Sequence, residues 1–249
     1  MEEWGEKFCR FRIFLIPCRE NKRNSGGEMK RRTLCQIIVG VVVICGGWML
    51  PVRTYAVASG EFAAWTGVRV NWQVDKRLKF RGTFQARTQH GLKEMERERL
   101  NIGLNYRVLP LMQLKGYYEL QYRDRGKAGW KIGHRYQAGF VVSSPVRDFK
   151  LGWRELFQHT FIGGGKEAQL RSRLQAVYEP TDWRLHPYFS IESFQPVGGE
   201  AFFSLPRVRY RPGVRWNLSQ RTMLDVYYCR QYDVKRCLNV LGINLEITL

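Results

Sequence analysis

The chain has 249 residues, of which 44% are hydrophobic, 14% aromatic and 25% charged, a composition that excludes a disordered or low-complexity polymer. Its 41 Lys and Arg against 22 Asp and Glu give a formal charge of +19. An excess of that size usually points to nucleic acid or an anionic membrane surface as a partner, so the placement of the charges along the chain decides between readings.

The first informative segment runs from Leu34 to Leu50, LCQIIVGVVVICGGWML. It is apolar apart from Gln36, follows Lys30-Arg31-Arg32, and leads through Pro51 to Thr54-Tyr55-Ala56. A basic stretch, an apolar stretch and a small residue at the cut make a secretory signal with cleavage after Ala56. The competing reading is a membrane-anchor helix, because 17 residues is the lower limit for spanning a bilayer. A signal peptide begins at its initiator Met, which makes Met29 the expected start, residues 29–56 the signal and residues 1–28 an extension foreign to the native protein. The residues that remain, 57–249, carry 31 basic and 17 acidic side chains, so the positive charge belongs to the fold itself.

From Trp65 onward polar and apolar residues alternate with a period of two, which is strand periodicity. Eleven runs follow in order: 65–74, 78–89, 97–109, 111–123, 131–142, 147–160, 169–179, 184–194, 205–217, 221–231 and 237–249. In the third run Arg97, Arg99, Asn101, Asn105 and Arg107 share one face, opposite Leu100, Ile102, Leu104, Tyr106 and Val108. In the ninth Arg207, Arg209, Arg211 and Arg215 oppose Val208, Tyr210, Val214 and Trp216. Short connections such as Leu109-Pro110, Ser143 to Arg147 and Pro180 to Trp183 alternate with longer, glycine-richer ones such as His90 to Glu96, Gly163 to Ala168 and Gln195 to Leu205. Short turns at one end and longer loops at the other belong to an up-and-down transmembrane β-barrel. Such barrels have even strand numbers, so the expectation is 10–12 strands, with 12 preferred because Val57 to Ala64 would add a short one.

Alternation alone does not decide which face points inward, since a soluble barrel or sandwich has the same period. Runs of eleven to thirteen residues exceed the ~5–6 usual in water and cover the ~9–11 a bilayer requires. Aromatic residues gather near strand ends on the apolar face, at Trp72, Tyr106, Tyr122, Tyr136, Phe149, Tyr178, Trp216 and Tyr228, where interfacial girdles lie. The chain closes on Leu241, Ile243, Leu245, Ile247 and Leu249, an alternating apolar ending like the one barrel-assembly machinery reads. These features predict a barrel in the outer membrane of a Gram-negative cell. Its partners would be outer-membrane lipid and, during export, the assembly machinery and periplasmic chaperones.

On this topology the polar face lines the lumen. The expected lining includes Arg81, Arg99, Lys115, Glu119, Arg135, Arg154, Arg171, Arg173, Glu192, Arg207, Arg209, Arg211 and Asp225, with Asp148 a further inward acid. Two readings of that face stay open. The arginines fill a closed lumen as a ladder of ion pairs, or they form a narrow passive pore whose wall attracts small anions. Nucleic acid is a poor partner, because the basic residues occupy one face of nearly every strand and form no patch. The rival class is a barrel enzyme acting on envelope lipid. His186 and Ser190 share a face but sit two pleats apart, beyond the hydrogen-bond reach that a base and its nucleophile need, so a non-enzymatic barrel is expected, with no catalytic, cofactor or metal residues. Gly163-Gly164-Gly165-Lys166 lacks a P-loop frame and reads as a flexible outer loop. Cys229 and Cys237 flank one predicted loop, and either a disulfide or two free thiols fits.

Several short strings, in order and spacing, resemble a family of small outer-membrane β-barrels of Gram-negative bacteria known as a domain of unknown function. They are Trp65, Leu100-x-x-Gly103-Leu104-x-Tyr106, Gly116-Tyr117-Tyr118, His134-Arg135, Leu170-Arg171-x-Arg173-Leu174 with Tyr178, Pro187-Tyr188 with Glu192-Ser193-Phe194, Arg207-x-Arg209-Tyr210 with Gly213, and Leu241-Gly242. The resemblance spans most of the chain after the leader. It implies the barrel and its location and supplies no catalytic residue. The chain departs from the pattern in its leader and in ending on Leu249, where the family often has an aromatic.

Overall fold

The computed structural model describes residues 60–198, 204–234 and 236–249. The leader, the extension before it and the cut after Ala56 lie outside the described residues. Eleven strands follow one another: β1 Gly60–Gln73, β2 Leu78–Gln89, β3 Glu94–Leu109, β4 Met112–Asp124, β5 Trp130–Val146, β6 Phe149–Ile162, β7 Gly165–Tyr178, β8 Leu185–Pro196, β9 Arg207–Asn217, β10 Thr222–Asp233 and β11 Cys237–Thr248. A 3₁₀ turn at Gly126–Ala128 interrupts the connection between β4 and β5. Each strand pairs antiparallel with its successor, and β1 closes the sheet on β11.

The strand count corrects the expectation of 12 strands, and its alternative of 10. Residues 60–64 stay on the ladder of the strand that follows, with Ala63 opposite Val240 and Ala64 opposite Leu241. No Gly or Pro breaks the chain between Ala64 and Trp65, so these residues lengthen β1 and form no strand of their own. With an odd number of strands one neighbouring pair must run parallel, and that pair is β1 and β11, in register from Gly60↔Cys237 to Asn71↔Thr248. One end of the barrel, the turn end, carries the connections 74–77, 110–111, 147–148, 179–184 and 218–221. The other, the loop end, carries 90–93, 125–129, 163–164, 197–206 and 234–236.

Two connections are shorter than the sequence suggested. Gly163 and Gly164 have φ of 56° and 81°, so both adopt the left-handed conformation of a two-residue hairpin turn. The glycine run is therefore a tight turn, with Gly165 and Lys166 already in β7. At the turn end, Ser143 to Val146 stay paired with Phe149 to Gly152. The reversal falls on Arg147-Asp148, with Arg147 at φ 54°.

The two faces of the sheet are sorted in the reverse of a water-soluble barrel. Glu119, Gln121, Asn71, Glu192 and Gln158 are buried at 1–2% exposure, whereas Ile102 is 53% and Leu100 49% exposed. Phe80, Phe84, Leu104, Leu114, Leu151, Phe157, Leu241 and Ile243 also point outward and exposed. So do seven of the eight strand-end aromatics, all but the half-buried Tyr178. A continuous apolar exterior of this extent is disfavoured in water, where exposed apolar patches stay within a few hundred Å².

Candidate functional site in the barrel lumen

The lumen is built by the same alternation that makes the exterior apolar. Side chains two residues apart share a face, so β4 sends Lys115, Tyr117, Glu119 and Gln121 inward, and β9 sends Arg207, Arg209, Arg211 and Arg215. Glycines set the width. Gly103 lies opposite Tyr117, Gly213 opposite Tyr188 and Gly242 opposite Tyr227. In each pair the tyrosine ring lies over the glycine of the neighbouring strand, in the space a Cβ would take. The rings are thereby held flat on the wall, and their π faces are available to cations. Arg211 stacks over Tyr227 at 4.4 Å and Arg215 over Tyr188 at 4.9 Å. The Tyr188 hydroxyl donates to Asp225 at 2.8 Å.

Around the middle of the barrel the arginines converge on two carboxylates. Glu192, 2% exposed, accepts from Arg171 Nε and Nη2 at 2.8 and 3.0 Å, from Arg173 Nε at 3.0 Å, and from Arg209 Nη1 at 3.5 Å. Arg154 is its fourth partner. Arg154 and Arg173 sit directly across from each other on β6 and β7, a like-charge pair that would repel without the carboxylate they share. Glu119 accepts from Arg99 at 3.1 Å and from Arg135 at 2.8 Å, and Arg135 Nε also donates to Thr160 Oγ1 at 2.8 Å. Toward the loop end Glu96 holds Arg97 at 3.0 Å and Arg123 at 3.7 Å, and Arg207 pairs with Asp233. Multidentate guanidinium–carboxylate contacts of this kind fix both partners in orientation.

These ion pairs separate two spaces. The larger, about 380 Å³, opens toward the turn end. Of the expected lining, Arg81, Arg99, Lys115, Glu119, Arg154, Arg171, Arg173, Arg211 and Asp225 border it. The smaller, about 40 Å³, lies toward the loop end, bordered by Arg135, Arg207 and Arg209. Trp65, Arg87, Arg99 and Arg171 border both, and so stand in the wall between them. Arg87 lies over the Trp65 ring at 3.9 Å and Arg209 at 5.0 Å. Ten basic side chains but only three carboxylates, Glu119, Asp225 and Glu246, border the larger space.

Asp233, Glu96 and Glu246 escape the sequence reading as inward acids, Asp233 because β10 runs two residues past its expected end, and one expected acid is elsewhere. Glu96 falls on the apolar face by simple alternation, but a bulge sets Thr88 opposite Met95 and Arg87 opposite Arg97 and leaves Glu96 as the extra residue, buried among arginines. Glu246 accepts from Arg69 and from Asn71 Nδ2, each at 2.6 Å. Its signal was present, since it alternates with Leu245 and Ile247, but the apolar partners dominate that segment. Asp148 sits exposed in the turn before β6, because the strands on either side continue pairing to Val146 and Phe149.

The disulfide alternative does not form. Cys229 and Cys237 are both free and buried. Cys229 lies opposite Val240 and Cys237 opposite Tyr232, an offset of three positions along adjacent strands, which puts the two thiols on opposite faces and beyond the Cα separation a bridge allows. His186 and Ser190 are not brought together either. His186 Nε2 pairs with Asn217 Nδ2 at 2.9 Å, and Ser190 is buried opposite Arg211 and Gln175.

The family model described as "Protein of unknown function (DUF2490)" matches residues 62–236, from β1 to the connection before β11. The chain belongs to that family. The match encloses all thirteen expected lining residues, with both carboxylate hubs of this DUF2490 barrel. No curated protein matches the chain. Among solved structures it is similar to the siderophore receptor PirA from Pseudomonas aeruginosa, at 11% identity and a TM-score of 0.26, over 65% of this chain and 32% of that one. The chain thus spans about a third of that receptor's length.

Proposed function

We propose that this DUF2490 barrel spans the outer membrane of a Gram-negative cell and is non-enzymatic, its lumen a narrow passive path for small anionic solutes. The observation that carries the reading is the inverted sorting of the sheet: an exposed apolar exterior around an interior where ten basic side chains meet three carboxylates. Closure of the sheet leaves no unpaired edge, the condition for β-structure in hydrocarbon. An uncompensated positive wall lowers the barrier for anions and raises it for cations. Outer-membrane lipid then covers the apolar band, and barrel-assembly machinery with periplasmic chaperones delivers the chain. The purified protein, checked by faster migration on a denaturing gel before boiling than after, is placed in a planar bilayer and, separately, in phospholipid vesicles. Discrete current steps without fatty-acid release are expected. Lipid hydrolysis with a silent bilayer would move the protein to the enzyme class.

A further inference from the structure

We propose that the chamber at the turn end is a binding site for a compact multivalent oxyanion of phosphate chemistry, centred on Arg81, Lys115 and Arg211. This deepens the reading of the lumen as an anion path by naming the anion it holds. The three side chains come from β2, β4 and β9 and border the same cavity, and among the described residues none has a carboxylate within ion-pair distance. Arg81 donates through Nε to Asn71 Oδ1 at 2.9 Å, Arg211 rests on the Tyr227 ring, and the Lys115 ammonium has no hydrogen-bond partner among the described residues. Elsewhere in the barrel arginines reach a carboxylate directly: four share Glu192 and two share Glu119. An inward cation lacking a counter-charge is costly, so three half-buried ones facing the same cavity leave that counter-charge to a ligand.

The shape of the site supports the same ligand class. Gly152 borders the cavity and adds no side chain to it, and a Cβ there would meet nothing closer than Val142 O at 3.9 Å. Among the described residues the Nε groups of Arg69, Arg99 and Arg154 are buried without a hydrogen-bond partner, and all three residues border the cavity. Gln137 and Gln175 add amide donors to the wall. Phosphate offers oxygens in every direction to such a surround of donors and carries about −1.5 to −2 charges at neutral pH. A monocarboxylate brings a single charge and two oxygens, and chloride has no directional acceptors, so both match the donor set less well.

The test is calorimetric titration of the folded barrel in detergent, in a phosphate-free buffer, with inorganic phosphate as the probe. Saturable one-to-one binding is expected, with acetate and chloride at least tenfold weaker. Lys115→Gln combined with Arg211→Gln should weaken phosphate at least tenfold, as loss of charge-assisted hydrogen bonds predicts. Lys115→Arg, which keeps the charge, should retain binding, as should Arg207→Gln in the loop-end half. Every variant is first checked for the compact gel form, and if the double variant does not fold, Lys115→Gln alone is titrated. No saturable phosphate binding, equal binding of acetate, or unchanged affinity in the folded charge-removing variant would overturn the site. Because the titration needs no open path, a barrel that binds phosphate but passes no current refutes the pore and leaves the site. One that conducts without binding refutes the site alone.

Discussion

The two halves of the lumen use the same residue type in opposite ways. From the loop end to the middle, most arginines are tied to a carboxylate: Arg97 and Arg123 to Glu96, Arg99 and Arg135 to Glu119, and four more to Glu192. Toward the turn end Arg69 pairs with Glu246, but among the described residues Arg81, Lys115, Arg211 and Arg215 have no carboxylate within ion-pair distance, and aromatic faces and amides take its place. The contrast separates charge that holds the barrel from charge that faces the space inside it. A guanidinium locked between strands fixes geometry, and the carboxylate it shares offsets part of its charge. One left open adds its charge to the cavity.

The comparison is broken most severely at Glu192. Glu192→Gln removes the counter-charge of four buried arginines, and breaking a buried pair from one side costs about 3–5 kcal/mol. The temperature at which the compact gel form is lost should fall clearly, and an unchanged temperature would mean the cluster does not hold the wall. Glu119→Gln releases two arginines and should cost about 1.5–3 kcal/mol in the same assay. Gly213→Ala places a methyl 2.6 Å from Tyr188 Cζ, so the ring must leave the wall and lose Asp225. Overpacking of that kind costs about 1–3 kcal/mol, and ring displacement should also lower single-channel conductance. Arg211→Gln is the opposite case. With no carboxylate to orphan and an unpaired inward charge removed, stability should not fall, while the preference for anions in a salt gradient should weaken. A large loss of stability from Arg211→Gln would erase the distinction between the halves.

Most of the barrel was legible because one face of each strand had to be polar and the other apolar, and a period of two records that directly. Of the thirteen polar-face residues named for the lumen, twelve border one of the two lumen spaces and Glu192 pairs with four of them, and none of the thirteen sits at a bulge. Glu96 was hidden for the opposite reason, as a single extra residue reverses the face without leaving a mark in the alternation. Strand ends were harder: Gly163-Gly164 and Arg147-Asp148 close in two residues because of backbone conformation, which composition blurs into longer loops. The odd strand count was unreadable for a related reason, since periodicity marks strands but not which pair closes the ring. The sharing of Glu192 by arginines from β6, β7 and β9 depends on register across those strands, which no single run contains.

On the proposed function, positive charge without a carboxylate partner in the turn-end half governs what the lumen admits. The most direct measurement is the reversal potential of the wild-type barrel in a planar bilayer under a potassium chloride gradient. The account predicts a potential of the sign set by chloride, shrinking toward zero in Arg211→Gln. A potential of the sign set by potassium, or one unaltered by that substitution, would contradict it.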